Sequence, residues 1–218
     1  MQAEKLVAKI CGLRDSAGLL AAVEGGARFV GFVFYPPSPR FLSPSGAAKL
    51  ASELPESVSP VAVFSEPSDE ELTIVMKALP NALIQLHGGE SPNRVAEIRA
   101  RFKCPVIKAI PIENGGDVAS AKHFEAAADW LLFDAKAPES STKVLPGGNA
   151  LAFDWSLLDC ARWRVPWLLS GGLTVDNLAE AVLTTGARAV DVSSGVEDSP
   201  GQKNPARIKA FLATAHAI

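Results

Sequence analysis

Lys5-Leu6-Val7-Ala8-Lys9-Ile10-Cys11-Gly12-Leu13-Arg14-Asp15 is the stretch that decides the fold. Its first seven residues form a short, mostly apolar run, as a strand buried in a parallel sheet requires. A turn follows. Ser16–Gly25 then carries Ala and Leu at helical spacing until Gly25-Gly26 stops it. A strand feeding a helix opens either a doubly wound sheet or a barrel. A doubly wound sheet that holds a nucleotide wants GxGxxG after this strand, and Cys11-Gly12-Leu13-Arg14-Asp15 is not that turn.

Outward from this unit the alternation repeats. Strands are expected at Lys5–Cys11, Phe29–Phe34, Pro60–Phe64, Ala82–His87, Pro105–Ile110, Trp130–Asp134, Pro166–Leu169 and Ala189–Val192. Between and after them run amphipathic helical stretches, among them Pro44–Leu54 behind the cap Ser43, Asp69–Leu79 with its acidic start, one opening at Ser91-Pro92, Val175–Thr185 ending at Gly186, and Pro205–Ala215. Eight strand–helix units predict an α/β chain closed into a single (β/α)8 barrel of parallel strands, one catalytic domain over residues 1–218. The longest irregular stretch, Ala137–Ala152, follows the sixth strand, and loops of that length are usually functional or mobile.

Apolar residues make up 48% of the 218, which suits a packed core. The 21 basic and 24 acidic residues leave a net charge of −3 and no basic stripe. Nucleic acid is therefore not an expected partner, and an anionic ligand would be held by local groups. Cys11, Cys104 and Cys160 are odd in number and widely spaced, so they suggest neither a disulfide framework nor a zinc pattern. The first residues lack the basic stretch and long apolar segment of a signal peptide, and no apolar run is long enough to span a bilayer. A cytoplasmic protein without a membrane partner is expected.

Barrels of this kind gather their active site at the C-terminal ends of the strands. Residues two apart on a strand share a face, so Lys9 goes with Cys11, Gln85 with His87 and Asp191 with Ser193, while Ile10, Leu86 and Val192 face the helices. Burying that many polar groups is costly unless they pair or work. Lys9 is expected to pair with Asp191, because the first and last strands are neighbours in a closed barrel. A lone buried cysteine is usually an inert small hydrophobe, but Cys11 stands at a strand end beside Gly12. Asp134 leaves the apolar run Trp130-Leu131-Leu132-Phe133 and reads either as a helix cap or ion-pair partner, or as a functional carboxyl. His87 is either a satisfied core histidine or a site residue. Arg40, behind Pro36, Pro37 and Pro39, is either a solvated loop charge or a ligand clamp. His123 and His216 belong on helix surfaces. Gly171 and Gly172 after the seventh strand, with Ser193, Ser194 and Gly195 after the eighth, suit a phosphate site through close backbone approach and N–H donors.

These same residues carry a resemblance. Lys9-Ile10-Cys11-Gly12-Leu13, Gly31-Phe32-Val33-Phe34-Tyr35 with Ser38-Pro39-Arg40, Gln85-Leu86-His87-Gly88, Leu131-Leu132-Phe133-Asp134-Ala135-Lys136, Pro146-Gly147-Gly148 with Phe153-Asp154-Trp155, Leu169-Ser170-Gly171-Gly172-Leu173 and Asp191-Val192-Ser193-Ser194-Gly195-Val196-Glu197 resemble, in order, the motifs of the phosphoribosylanthranilate isomerase family. Arg14 stands where many relatives carry Thr, and Ala150 where loop six often has another Gly. The resemblance implies an enzyme of tryptophan biosynthesis that performs an Amadori rearrangement on the small molecule phosphoribosylanthranilate, with no cofactor and no metal. It assigns Asp134 as general acid and Cys11 as general base; binding then divides by charge, with Arg40 offering a planar fork to the anthranilate carboxylate. The phosphate falls to Gly171, Gly172, Ser193, Ser194 and Gly195, sugar hydroxyls to Asp191, and an orienting role to His87. An ordinary aspartate is ionised at neutral pH and an ordinary thiol is not, so both roles need surroundings that favour the rarer form. Lys9 or a substrate iminium charge would raise the thiolate fraction.

Rivals are separable by residue type. The histidine-pathway aminoaldose isomerase would carry an aspartate where Cys11 stands. A metal-dependent pentose-phosphate epimerase would need several histidines at strand ends, and His87 is the one here. A non-catalytic barrel that binds a phosphate metabolite would not need Cys11 and Asp134 together. Monomer and homodimer both stay open.

Overall fold

The computed structural model describes residues 5–136, 147, 152–159 and 162–218. Cys160, Ala150 and all of the irregular stretch expected over Ala137–Ala152 except Gly147 and Ala152 lie outside the described residues.

Eight parallel strands, β1 (Val7–Cys11), β2 (Phe29–Val33), β3 (Ser59–Phe64), β4 (Leu83–Leu86), β5 (Val106–Ile112), β6 (Trp130–Ala135), β7 (Trp167–Leu169) and β8 (Ala189–Val192), pair in sequence order and close into a barrel. Closure sets Val7 to Ile10 against Ala189 to Val192 and so puts Lys9 beside Asp191. The strands are mostly apolar because both faces are buried. Val61, Val63, Ile107, Ala109, Leu132 and Leu168 fill the barrel together with Cys11. Ile10, Val30, Ile84, Leu86, Val190 and Val192 face outward into the layer beneath the helices. The two-residue period read from the sequence therefore sorts the side chains as expected.

The helices are α1 (Ser16–Glu24), α2 (Pro44–Ala51), α3 (Asp69–Ala78), α4 (Pro92–Phe102), α5 (Gly115–Ala121), α6 (Leu178–Thr185) and α7 (Pro205–Ala217). Side-chain caps start most of them. Asp15 accepts from the Gly18 N–H, Ser43 from Gly46 and Ser91 from Arg94, and Ser68 and Glu71 form a reciprocal capping box.

Two local expectations change, and two features are new. The helix expected from Val175 begins at Leu178, because Asn177 accepts from the Thr174 N–H at 2.8 Å and donates to the Gly172 carbonyl at 3.0 Å, which holds the preceding residues in a turn. The helix expected to Leu54 ends at Ala51, beyond which the Glu53 and Leu54 N–H groups reach carbonyls only three residues back. α5 opens on Gly115-Gly116, a poor helix pair, and is secured by Asn114 and Asp117. After β8 the chain forms an antiparallel hairpin, β9 (Glu197–Ser199) and β10 (Gln202–Lys203), turning through Gly201 at φ +83°. No helix among the described residues is long and apolar enough to cross a membrane.

Candidate active site

A cleft of about 800 Å³, open to solvent, lies over the C-terminal ends of the strands. Cys11, Arg40, His87, Asp134, Gly171, Gly172, Asp191, Ser193 and Ser194 all line it, as do Tyr35, Ser38, Ser65 and Ser170. Gly195 does not. A Cβ on Gly195 would meet the Leu173 carbonyl oxygen at 2.0 Å, so this glycine lets the turns after β7 and β8 touch backbone to backbone behind the cleft.

On β1, Lys9 is completely buried and its Nζ lies 2.8 Å from Asp191 Oδ1, the pairing expected from barrel closure. Asp191 Oδ2 accepts from Ser170 Oγ at 3.2 Å. Burial alone would lower the pKa of the Lys9 ammonium, but the negative charge of Asp191 and the neighbouring Cys11 outweigh it, and the net shift is upward. Cys11 shows the opposite competition. Burial pushes its thiol up, Lys9 and Lys203 pull it down, Asp191 pushes it up again, and the result stays above the ordinary value. Lys9 therefore opposes the effect of burial on Cys11 without overcoming it. Gly31 on β2 makes the space for this pair, since a Cβ there would stand 2.9 Å from Cys11 Sγ and 3.3 Å from Lys9 Nζ.

At the end of β6, Asp134 accepts from the Ala135 N–H at 2.9 Å through Oδ1 and meets His87 Nε2 at 3.1 Å through Oδ2. His87 Nδ1 in turn lies 3.0 Å from the side-chain nitrogen of Gln85 on β4. Two glycines crowd the carboxyl. A Cβ at Gly147 would sit 2.8 Å from the His87 ring and 2.9 Å from Asp134 Oδ2, while Gly171, at φ +88°, would meet the Ala135 nitrogen at 2.7 Å.

Arg40 is buried rather than solvated. Its Nε and Nη2 each donate at 2.8 Å to one oxygen of Glu197 on β9, a bidentate pair. Lys203 on β10 completes a strap, its Nζ reaching Glu197 at 2.7 Å and the Ser193 carbonyl at 2.9 Å. Ser193 Oγ donates to the Cys11 carbonyl at 3.1 Å. Burial works to raise the Glu197 carboxyl, but Arg40 and Lys203 outweigh it and hold it low. Burial lowers the Lys203 ammonium in spite of Glu197.

A further buried pair, Lys108 to Glu90 at 2.8 Å, ties down the loop after β4. Glu90 also accepts from the Glu66 and Gly88 N–H groups. No cluster of three or more His, Cys, Asp or Glu side chains among the described residues is arranged to hold a metal ion. Sequence reasoning missed Lys203, Glu90 and Lys108, and it quoted Glu197 without giving it a role. Two signals were available. Pro200-Gly201 marks a turn between Glu197 and Lys203, and a lysine inside the apolar run Pro105–Ile110 demands a buried partner.

A closed (β/α)8 barrel whose strand ends bring a thiol, a histidine-bound carboxyl and a serine- and glycine-rich rim around one cleft is the frame of a small-molecule acid–base catalyst. The family model described as N-(5'-phosphoribosyl)anthranilate (PRA) isomerase matches residues 8–214. The chain is 52% identical over 207 residues to the N-(5'-phosphoribosyl)anthranilate isomerase of Cereibacter sphaeroides, covering 95% of this chain and 97% of that one. Its fold matches the crystal structure of phosphoribosyl anthranilate isomerase from Thermotoga maritima at a TM-score of 0.86 and 37% identity, over 98% of this chain and 100% of that one. It also matches the enzyme in complex with reduced 1-(o-carboxyphenylamino)-1-deoxyribulose 5-phosphate at a TM-score of 0.82 and 35% identity, with the same coverage. The chain belongs to the phosphoribosylanthranilate isomerase family.

Proposed function

We propose that this chain, as a single cytoplasmic barrel domain, converts N-(5'-phosphoribosyl)anthranilate to 1-(2-carboxyphenylamino)-1-deoxyribulose 5-phosphate in tryptophan biosynthesis, with Asp134 as acid and Cys11 as base. The observation that carries the reading is that Cys11, from β1, and Asp134, from β6, rim the same cleft.

The protonated carboxyl of Asp134 gives its proton to the furanose ring oxygen. The C1–O bond breaks as the nitrogen lone pair forms the C1=N⁺ iminium. That charge acidifies the C2–H, and Cys11 as thiolate removes the proton while the electron pair flows to nitrogen. The resulting enaminol loses its O2 proton and gains one at C1, which yields the ketose. Since burial favours the thiol, Cys11 first gives its proton to solvent, and the thiolate is best supported once the iminium adds its positive charge to those of Lys9 and Lys203.

Arg40, gripped on one edge by Glu197, is fixed in orientation for the anthranilate carboxylate. Gly171, Gly172, Ser193 and Ser194 suit the phosphate, with Gly195 holding the two turns together from behind. Asp191 is first the counter-ion of Lys9; its remaining lone pairs suit a sugar hydroxyl. His87 orients Asp134.

The test is loss of phosphoribosylanthranilate fluorescence. The purified chain should consume the substrate, and Cys11→Ala and Asp134→Asn should each lower turnover by about a hundred- to ten-thousand-fold with unchanged circular dichroism. Near-normal turnover in either variant removes that residue from its role, and an inactive wild-type chain removes the activity.

A further inference from the structure

Gln85 is completely buried in β4, beneath the cleft. Its nitrogen faces His87 Nδ1 at 3.0 Å, and His87 Nε2 faces Asp134 Oδ2 at 3.1 Å. Its oxygen, Oε1, is buried and has no hydrogen-bond partner among the described residues. A buried amide usually satisfies both ends. Here one end meets the ring and the other has no partner among the described residues.

Resting on the assignment of Asp134 as the acid, we infer that Gln85 is a positioning residue whose amide, by turning end for end, lets His87 support Asp134 in both of its charge states. When Asp134 is ionised, neutral His87 must carry its proton on Nε2 and donate it to the carboxylate, so Nδ1 is bare and needs a donor. The Gln85 N–H supplies one, as the structure shows. When Asp134 is protonated and ready to act, its O–H needs an acceptor. His87 Nε2 provides it only if the ring proton sits on Nδ1, and Nδ1–H then needs an acceptor in turn. The Gln85 oxygen supplies that after a half-turn of the amide. The second arrangement holds one proton more than the first, namely the one Asp134 delivers.

An amide is suited to this because its two ends are nearly equal in shape and opposite in hydrogen-bonding sense. In the orientation seen, the far end, Oε1, has no partner among the described residues, so no bond there holds the amide against turning. A carboxylate at this position would accept only, and a thioether would neither donate nor accept strongly. Other titratable side chains lining the cleft among the described residues are Cys11 from β1, Tyr35 and Arg40 beyond β2, and Asp191 from β8. Behind them, Lys9 pairs with Asp191 and Lys108 with Glu90. The hydrogen bonds recorded for Gln85 and for the His87 ring contain none of these.

The chain has three histidines, and His123 and His216 are exposed, so ¹⁵N NMR resolves the matter in the unliganded protein. As pH falls and the His87–Asp134 pair takes up one proton, His87 Nδ1 should gain a proton and the Gln85 side-chain amide, followed by its own ¹⁵N–H signals, should turn its oxygen to it in the wild type. In Gln85→Met, which offers Nδ1 no acceptor, that uptake should move to lower pH, and in Gln85→Glu Nδ1 should keep its proton throughout. Gln85→Met should also lower kcat by about tenfold with KM within about twofold, because it acts through a general acid rather than on the substrate. A wild-type Gln85 amide that keeps its nitrogen on Nδ1 across the titration overturns the inference, and that measurement needs no variant to fold. A wild-type kcat in a folded Gln85→Met overturns it as well. Retained activity in Asp134→Asn instead overturns the acid assignment, and the amide signals still decide the case of Gln85.

Discussion

Cys11, the proposed base, has its thiol pushed up by its own burial. Because the shift is upward, the thiolate fraction at any given pH is smaller than for a free thiol. The limb of kcat/KM that Cys11 sets in the free enzyme should therefore lie on the alkaline side of the ordinary thiol value of 9.0. Alkylation of the Cys11 peptide, followed by mass spectrometry, reads the same fraction without substrate. Its rate should climb about tenfold per pH unit through neutrality, as expected for a thiol far below its titration; a plateau below pH 9 would show a thiolate already formed. Among single residues, the sequence made Cys11, Asp134, His87 and Asp191 legible because each stands at the end of an apolar strand, where a polar group needs a reason. Glu197 and Lys203 were not legible as site residues. Charges in a polar segment read as solvated, and their burial depends on Arg40, which is 157 residues from Glu197.

At the scale of elements, the strands were readable because burial on both faces leaves continuous apolar runs, and the alternation of faces then followed. The boundaries were not, because side chains such as Asn177 decide locally where a helix begins. The hairpin β9–β10 escaped because its strands are short and polar and owe their place to the Arg40–Glu197–Lys203 strap. The turns after β7 and β8 depend on each other through Gly195. A Cβ there collides with the Leu173 backbone, which cannot yield as a flexible side chain would. Gly195→Ala should therefore part the two turns, cost about 1–3 kcal/mol as an overpacked contact, and raise KM far more than it lowers kcat. Urea unfolding and steady-state kinetics check both halves; an unchanged KM would mean that these turns do not hold the phosphate.

For the whole molecule, the ion pair Lys9–Asp191 crosses the seam where the barrel closes. Breaking a buried pair strands a charge and costs about 3–5 kcal/mol, whereas replacing both partners by apolar groups is often neutral. Lys9→Met should thus lose that much in urea unfolding, and Lys9→Met with Asp191→Leu should recover most of it while remaining a poor catalyst. Equal instability of the single and double variants would contradict this account. The seam also has a consequence for the making of the protein. Lys9 and Asp191 are 182 positions apart in the chain, so at usual rates of synthesis β1 leaves the ribosome on the order of 10 s or more before β8. Throughout that wait Lys9 lacks its carboxylate, and the strand bearing Cys11 lacks one neighbour. A nascent or stalled chain consequently offers an open, thiol-bearing edge and no part of the activity, which arrives only when the last strand docks.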